Sequence, residues 1–150
     1  MDSEKKELLK ALKKDASELP FHRILGLDEE SFDVENGRIR FDMRDDLVGN
    51  RHFKILHGGL IASILDIEGG LVLILNGAWR SETSPPTNPL TLKGGTIDLR
   101  IDYLRPGRGK HFEASGAILR RGNKVAVVRT ELRNELDELI AAGTGTYLIG

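Results

Sequence analysis

Apolar positions along this chain change their period from one stretch to the next. Over the first residues, Leu8, Leu12, Ala16 and Leu19 recur at helical spacing, with Asp2 or Ser3 placed to cap and Pro20 beyond the end. The rest of that circumference is polar. It predicts an amphipathic helix on the exterior, with Lys5, Lys6, Lys13 and Lys14 turned to water. From Ser31 to Met43, "SFDVENGRIRFDM" alternates on either side of Asn36-Gly37, the strongest short signal for a β-hairpin. An irregular approach over 44–56 then leads into "LHGGLIASILDIEGGLVLIL", apolar nearly all round, which predicts a buried helix over 58–76. "GAWRSETSPPTNPLTLKG" is rich in turn formers and reads as a loop.

The remainder alternates with period two. In "GTIDLRIDY", Ile97, Leu99, Ile101 and Tyr103 face away from Thr96, Asp98, Arg100 and Asp102. "HFEASGAILRR" and "KVAVVRTELRN" flank a turn at Gly122-Asn123, and "ELIAAGTGTYLIG" supplies the last strand. One apolar helix with roughly six strands predicts an α+β architecture, a single domain over 1–150. A helix apolar on most sides needs cover on most sides, and a curved antiparallel sheet wrapped around it provides that cover, with the N-terminal helix as an external addition.

The same helix is long enough to cross a membrane, but Asp66, Glu68 and the glycines at 58, 59, 69 and 70 interrupt it. A charge near a bilayer centre costs roughly 2.5–3.5 kcal/mol, and a core helix avoids that cost. Charge excludes other classes: 22 Lys and Arg against 23 Asp and Glu give a net charge of -1, which argues against nucleic acid or an anionic membrane as partner. With no cysteine, a thiol nucleophile, a disulfide scaffold and a thiolate metal site are all excluded. The N-terminal stretch lacks a signal-peptide core, so a cytoplasmic protein is expected, with no metal and no cofactor.

Two features carry candidate chemistry. Asp66 shares its helix face with Ala62, Ser63, Gly69 and Gly70, all small, so a backbone or a ligand can approach the carboxylate. This pattern fits a structural hydrogen-bonded acid as well as a catalytic one. Glu68 points about 200° away and is expected to serve an ion pair or a helix-edge contact. His57-Gly58-Gly59 stands where the helix begins, and free amides there can hold negative charge. His57 itself reads as a positioning residue. An oxyanion turn and a carboxylate together suit attack of water on an acyl carbonyl. They lie too far apart on one helix to meet, so two antiparallel helices at a twofold interface are expected to bring them together.

Arg105, Arg108, Lys110, Arg120, Arg121 and Lys124 cluster at strand ends and could meet phosphates. Leu60, Ile61, Ile64, Leu65, Val72 and Leu73 offer an aliphatic lining, better suited to a flexible alkyl chain than to a ring.

"HGGLIASILDIEGG" resembles the HGG-x6-D signature of the phenylacetyl-CoA-type (PaaI-like) branch of hotdog thioesterases. "GTIDLRIDYLRPG", "RRGNKVAVVRTEL" and "AAGTGTYLIG" are similar to the strands of that family, and the likeness runs from Leu47 to Gly150. The resemblance implies the hotdog fold and hydrolysis of acyl-CoA, with medium and long chains as the expected substrates. It implies that Asp66 acts as nucleophile or as general base, that the Gly58 amide forms the oxyanion hole, and that Thr96 is the small hydroxyl residue positioning water or Asp66. Coenzyme A contacts fall on Tyr103, Arg105 and Arg108 and on Arg120, Arg121, Gly122 and Lys124, with His57, Gly59 and Ser63 beside the helix start. A homodimer with shared active sites, paired into a dimer of dimers, is implied as well.

The chain departs from the family at one position. The water-orienting asparagine is expected six residues before His57, where Arg51 stands; Asn50 lies one earlier. The loop at 77–93 is longer than usual and is expected to shape the acyl pocket. A competing reading is a non-catalytic acyl-CoA sensor on the same scaffold. The charge-balanced N-terminal helix is a poor DNA-binding segment, and retention of both the HGG turn and Asp66 favours catalysis.

Overall fold

The computed structural model describes residues 3–77 and 94–150. Helix α1 (Ser3–Glu18) buries Leu12 and Ala16 and leaves most of its surface to solvent, as its narrow apolar stripe requires. Pro20 does not merely follow the helix. It opens a short second one, α2 (Pro20–Ile24), at the position where the missing proline N–H would have had no partner. Leu19, assigned to the buried stripe by its spacing, is exposed at that junction.

Strands β1 (Phe32–Asp33) and β2 (Arg38–Asp42) form the expected hairpin, with Phe32 opposite Ile39 and Asp33 opposite Arg38. Its loop spans 34–37 and is wider than the Asn36-Gly37 pair alone. The Asp33 carboxylate accepts from the Asn36 backbone N–H (3.2 Å) and side-chain amide (3.0 Å), and Gly37 takes a positive φ of 62°. The stretch expected to be irregular is more ordered than that. It holds a 3-10 turn (Asp45–Leu47) and a small ribbon of β3 (Val48–Asn50) with β4 (Ile55–Leu56).

Helix α3 (Gly58–Leu75) follows and runs along the concave face of the main sheet. That sheet comprises β1, β2, β5 (Gly95–Tyr103), β6 (His111–Arg121), β7 (Val125–Asn134) and β8 (Leu139–Leu148) in the order β1-β2-β6-β7-β8-β5, every neighbour antiparallel. Leu60, Ile61, Ile64 and Leu65 pack with Ile39, Phe41, Phe112, Leu132 and Ile140 in the larger core cluster. Val72 and Leu73 pack with Ala126, Val128 and Tyr147 in a second. All six aliphatic side chains expected to line a tail site are therefore spent on the core.

Among the described residues α3 is the one helix long and apolar enough to cross a membrane, with a mean hydropathy of 1.9, and half of it is buried, packed against the sheet. The face bearing Gly59, Ala62, Ser63 and Asp66 stays partly open. Beside it, β5 closes one end of the sheet. Its outer edge is unpaired among the described residues, and Ile97 and Tyr103 are 58% and 54% exposed on it. The loop expected to shape an acyl pocket lies, apart from Gly77, outside the described residues.

Candidate active site

The helix start is built by its own histidine. His57 is the N-cap, in extended backbone, and its Nδ1 accepts the Gly59 N–H at 2.8 Å. With Nδ1 accepting, the neutral ring carries its proton on Nε2. The expected HGG oxyanion turn thus narrows to one group. The Gly59 amide is occupied, whereas the Gly58 N–H has no hydrogen-bond partner among the described residues. Tyr103, at the end of β5, fixes this turn from the side. Its hydroxyl donates to the Gly58 carbonyl at 2.8 Å, and its ring lies where a Gly58 side chain would make tight contact, at 3.3–3.5 Å. Ser63 donates back to the Gly59 carbonyl at 2.8 Å, so its hydroxyl serves the helix.

Asp66 sits about two turns further on, roughly 12 Å along the axis. It is half-buried on the open face, and the Thr96 hydroxyl donates to its Oδ1 at 2.8 Å. Thr96 is on β5, directly opposite Tyr147 of β8, just before a break in the register between Thr96 and Asp98. The contact joins residues 30 positions apart across the chain.

Sequence spacing did not single out Tyr147. Its side chain is buried, and its hydroxyl donates to the Asp66 carbonyl at 3.3 Å. The ring lies across Gly145 and pushes its tip against Gly69. A Cβ on Gly69 would stand 2.6 Å from the ring carbon bearing the hydroxyl, and one on Gly145 would stand 2.7 Å from the hydroxyl oxygen. The approach that Gly69 was expected to allow is made by the chain itself. The signal was available in "GTGTYL", an aromatic two residues beyond a strand glycine, but nothing in the spacing linked it to Gly69.

Glu68 is fully buried, and neither carboxyl oxygen makes a hydrogen bond. The expected ion pair or edge contact is not formed. Burial, reinforced by the Glu113 charge, pushes its pKa up to about 9, only partly offset by Arg38 and the Ile39 amide. Arg38 is itself paired with Glu113, as is Arg40 at 2.7 Å.

The basic residues divide by what they touch. Arg105 donates to the Leu139 carbonyl at 2.9 Å, and Arg108 lies 6.0 Å over the Phe53 ring. Arg121 donates to the carbonyls of Asn76 and Gly77 at 3.2 and 3.1 Å, capping the end of α3. Arg120, Gly122 and Lys124 line an open concavity of about 440 Å³ with Asn123, Val125 and Val127. Neither Arg120 nor Lys124 has an ion-pair partner among the described residues. The Asn50 side-chain oxygen accepts from the backbone of His52 and Phe53 at 3.0 and 3.3 Å, organising the turn after β3.

The antiparallel sheet sets these groups at opposite ends. Leu104 and Arg105 bond to Ile140 at the start of β8, whereas Ile149 bonds to Lys124 just past its end. Ten residues of strand separate them, roughly 30 Å. Gly58 and Tyr103 belong to one end, and Thr96, Arg120 and Lys124 to the other, where Thr96 holds Asp66.

A long helix laid across an antiparallel sheet of this order is the hotdog fold. The thioesterase superfamily model matches residues 53–141, from just before the HGG turn to β8. The chain belongs to that superfamily and is a thioester hydrolase. It is 46% identical over 134 residues to the medium/long-chain acyl-CoA thioesterase YigI of Escherichia coli strain K12, covering 88% of this chain and 86% of that one. A crystal structure from Shewanella oneidensis, of a protein related to the thioesterase superfamily, is 39% identical with a TM-score of 0.81 over all of both chains. A Bacillus halodurans protein solved with CoA shares the fold, at 21% identity and a TM-score of 0.68, over 99% of this chain and 91% of that one.

Proposed function

We propose that this protein hydrolyses medium- and long-chain acyl-CoA, with Asp66 as general base for water and the Gly58 amide as the oxyanion donor. The observation that carries the reading is the Thr96–Asp66 hydrogen bond on the open face of α3. It holds a carboxylate in place where a water and a thioester can reach it. Asp66 takes a proton from water as the oxygen bonds to the acyl carbon, and the carbonyl oxygen becomes an anion at the Gly58 N–H. Collapse breaks the C–S bond, and the proton passes from Asp66 to the departing thiolate, leaving a carboxylic acid and free CoA.

The preference for longer chains rests on the likeness to YigI, since the helix residues first assigned to the tail are core. Among the expected phosphate contacts, the side chains of Lys110, Arg120 and Lys124 make no hydrogen bond or ion pair among the described residues, and Arg120 and Lys124 share one concavity. Acyl-CoA is made and consumed inside cells, in keeping with a cytoplasmic enzyme.

The active unit is a dimer. One chain offers its amide and its carboxylate about 12 Å apart on a single helix, too far for one carbonyl. A second copy with α3 reversed sets its Gly58 end against the first copy's Asp66 end. The open edge of β5 and the open face of α3 are where such a copy can sit.

Assay of acyl-CoA esters of increasing length, by release of free thiol, tests the reading. kcat/KM is expected to rise from acetyl-CoA toward medium and long chains and to stay low for benzoyl-CoA. Asp66→Asn is expected to lower kcat by about 10²–10⁴ with the fold kept. An Asp66→Asn enzyme with wild-type kcat would refute the assignment. After a single turnover in ¹⁸O-water, label found in the Asp66 carboxyl would identify it as the nucleophile, whereas a general base acquires none.

A further inference from the structure

Tyr147 and Thr96 are directly opposed across β8 and β5, so their side chains leave the sheet on one face, and both end on Asp66. Thr96 holds the carboxylate at 2.8 Å, and Tyr147 holds the carbonyl of the same residue at 3.3 Å. We infer that Tyr147 is a positioning residue for Asp66: its hydroxyl, fixed in a notch between Gly69 and Gly145, sets where the helix presents the carboxylate to the reacting water. This rests on the reading of Asp66 as the base.

Three features of the structure support this role over simple filling of the core. The ring's tip is a polar group, yet it is buried against glycines on both the helix and its own strand. The hydroxyl stays protonated and therefore remains a donor. Burial pushes its pKa well above the usual range, and the Asp66 carboxylate and Glu68 add to that effect. The hydroxyl, finally, donates to the backbone carbonyl of the one residue whose carboxylate Thr96 holds. An apolar ring at 147 would fill the same volume and leave that residue's position less defined.

Tyr147→Phe tests the inference, because it removes one oxygen and keeps the ring. The expected result is kcat lower by about tenfold, as for one lost hydrogen bond, with KM within a factor of two and the melting transition retained. The decisive reading is a double-mutant cycle. In an Asp66→Asn background, Tyr147→Phe is expected to leave the residual rate unchanged, since the group it positions is gone. An equal tenfold loss in that background would overturn the inference while leaving Asp66 as the base. So would a Tyr147→Phe enzyme with wild-type kcat beside an inactive Asp66→Asn. A fully active Asp66→Asn would overturn the function and this inference together. Should Tyr147→Phe not fold, 3-fluorotyrosine placed at 147 alone keeps the shape and alters only the donor strength. A change in kcat of about twofold or more supports the role, and no change overturns it.

Discussion

Burying Glu68 without a partner has a consequence for stability that runs in a definite direction with pH. In the unfolded chain a glutamate ionises near its ordinary 4.5; in the fold its pKa is raised to about 9. The unfolded state therefore holds fewer protons across that window, and stability falls as pH rises through it, by up to about 1.4 kcal/mol per unit. Below 4.5 both states are protonated and the penalty is absent. Glu68→Gln cannot ionise in either state. It is expected to match the wild type near pH 4.5 and to exceed it by a growing margin up to pH 9, read from urea midpoints at pH 5, 7 and 8.5. Identical pH profiles for the two proteins would show that the carboxyl is charged in the fold. Periodicity placed Glu68 on the far side of the helix from Asp66, but an angle does not say what covers that side. The inner face of β2 and β6 covers it, and that pairing of elements is not visible in local sequence.

Among the elements, the long helix was legible to within a residue, 58–76 expected and Gly58–Leu75 found, since a run of aliphatic residues behind an N-cap leaves little choice. Strands β6, β7 and β8 were equally plain from alternation. What was not legible is how closely helix and sheet approach. Asp66 and Thr96 meet from 30 positions apart, and the pairing could be anticipated only through resemblance to a known family. The role of Gly69 was anticipated in kind, as room for something bulky, but the occupant is Tyr147 of the same chain. Gly69→Ala tests that packing. Alanine favours the helix by roughly 1 kcal/mol, but its Cβ meets the ring tip, and overpacking of this kind costs about 1–3 kcal/mol. The variant is expected to melt below the wild type, and adding Tyr147→Phe should recover part of the loss by removing the nearest atom. A Gly69→Ala protein as stable as the wild type would show that the notch is not filled as described.

At the scale of the whole molecule, the fold separates what the reaction needs. Antiparallel topology sends the amide end and the Arg120–Lys124 end of one chain in opposite directions, and the twofold partner proposed above would reverse one of them. This can be read without a crystal of the assembly. Gly58→Pro deletes the unpaired amide while suiting the first helical position, and His57 before it already has the extended backbone that a following proline prefers. Gly58→Pro and Asp66→Asn are each expected to be nearly inactive. Mixed and allowed to exchange subunits, they should regain up to about a quarter of wild-type activity, since half the dimers at random exchange are mixed and each has one intact site. No recovery after demonstrated exchange would place both groups of each site within one chain.

The notch beneath Asp66 also constrains how this sequence can drift. Positions 69, 145 and 147 are bound into a single steric unit, although two of them lie at the far end of the chain from the first. A relative that keeps the tyrosine has little freedom at either glycine. One that replaces it with a small residue loses the nearest obstacle to a side chain at both. Substitutions at these positions should therefore appear together or not at all, so that a lineage crossing from one state to the other must pass through a cavity or a clash.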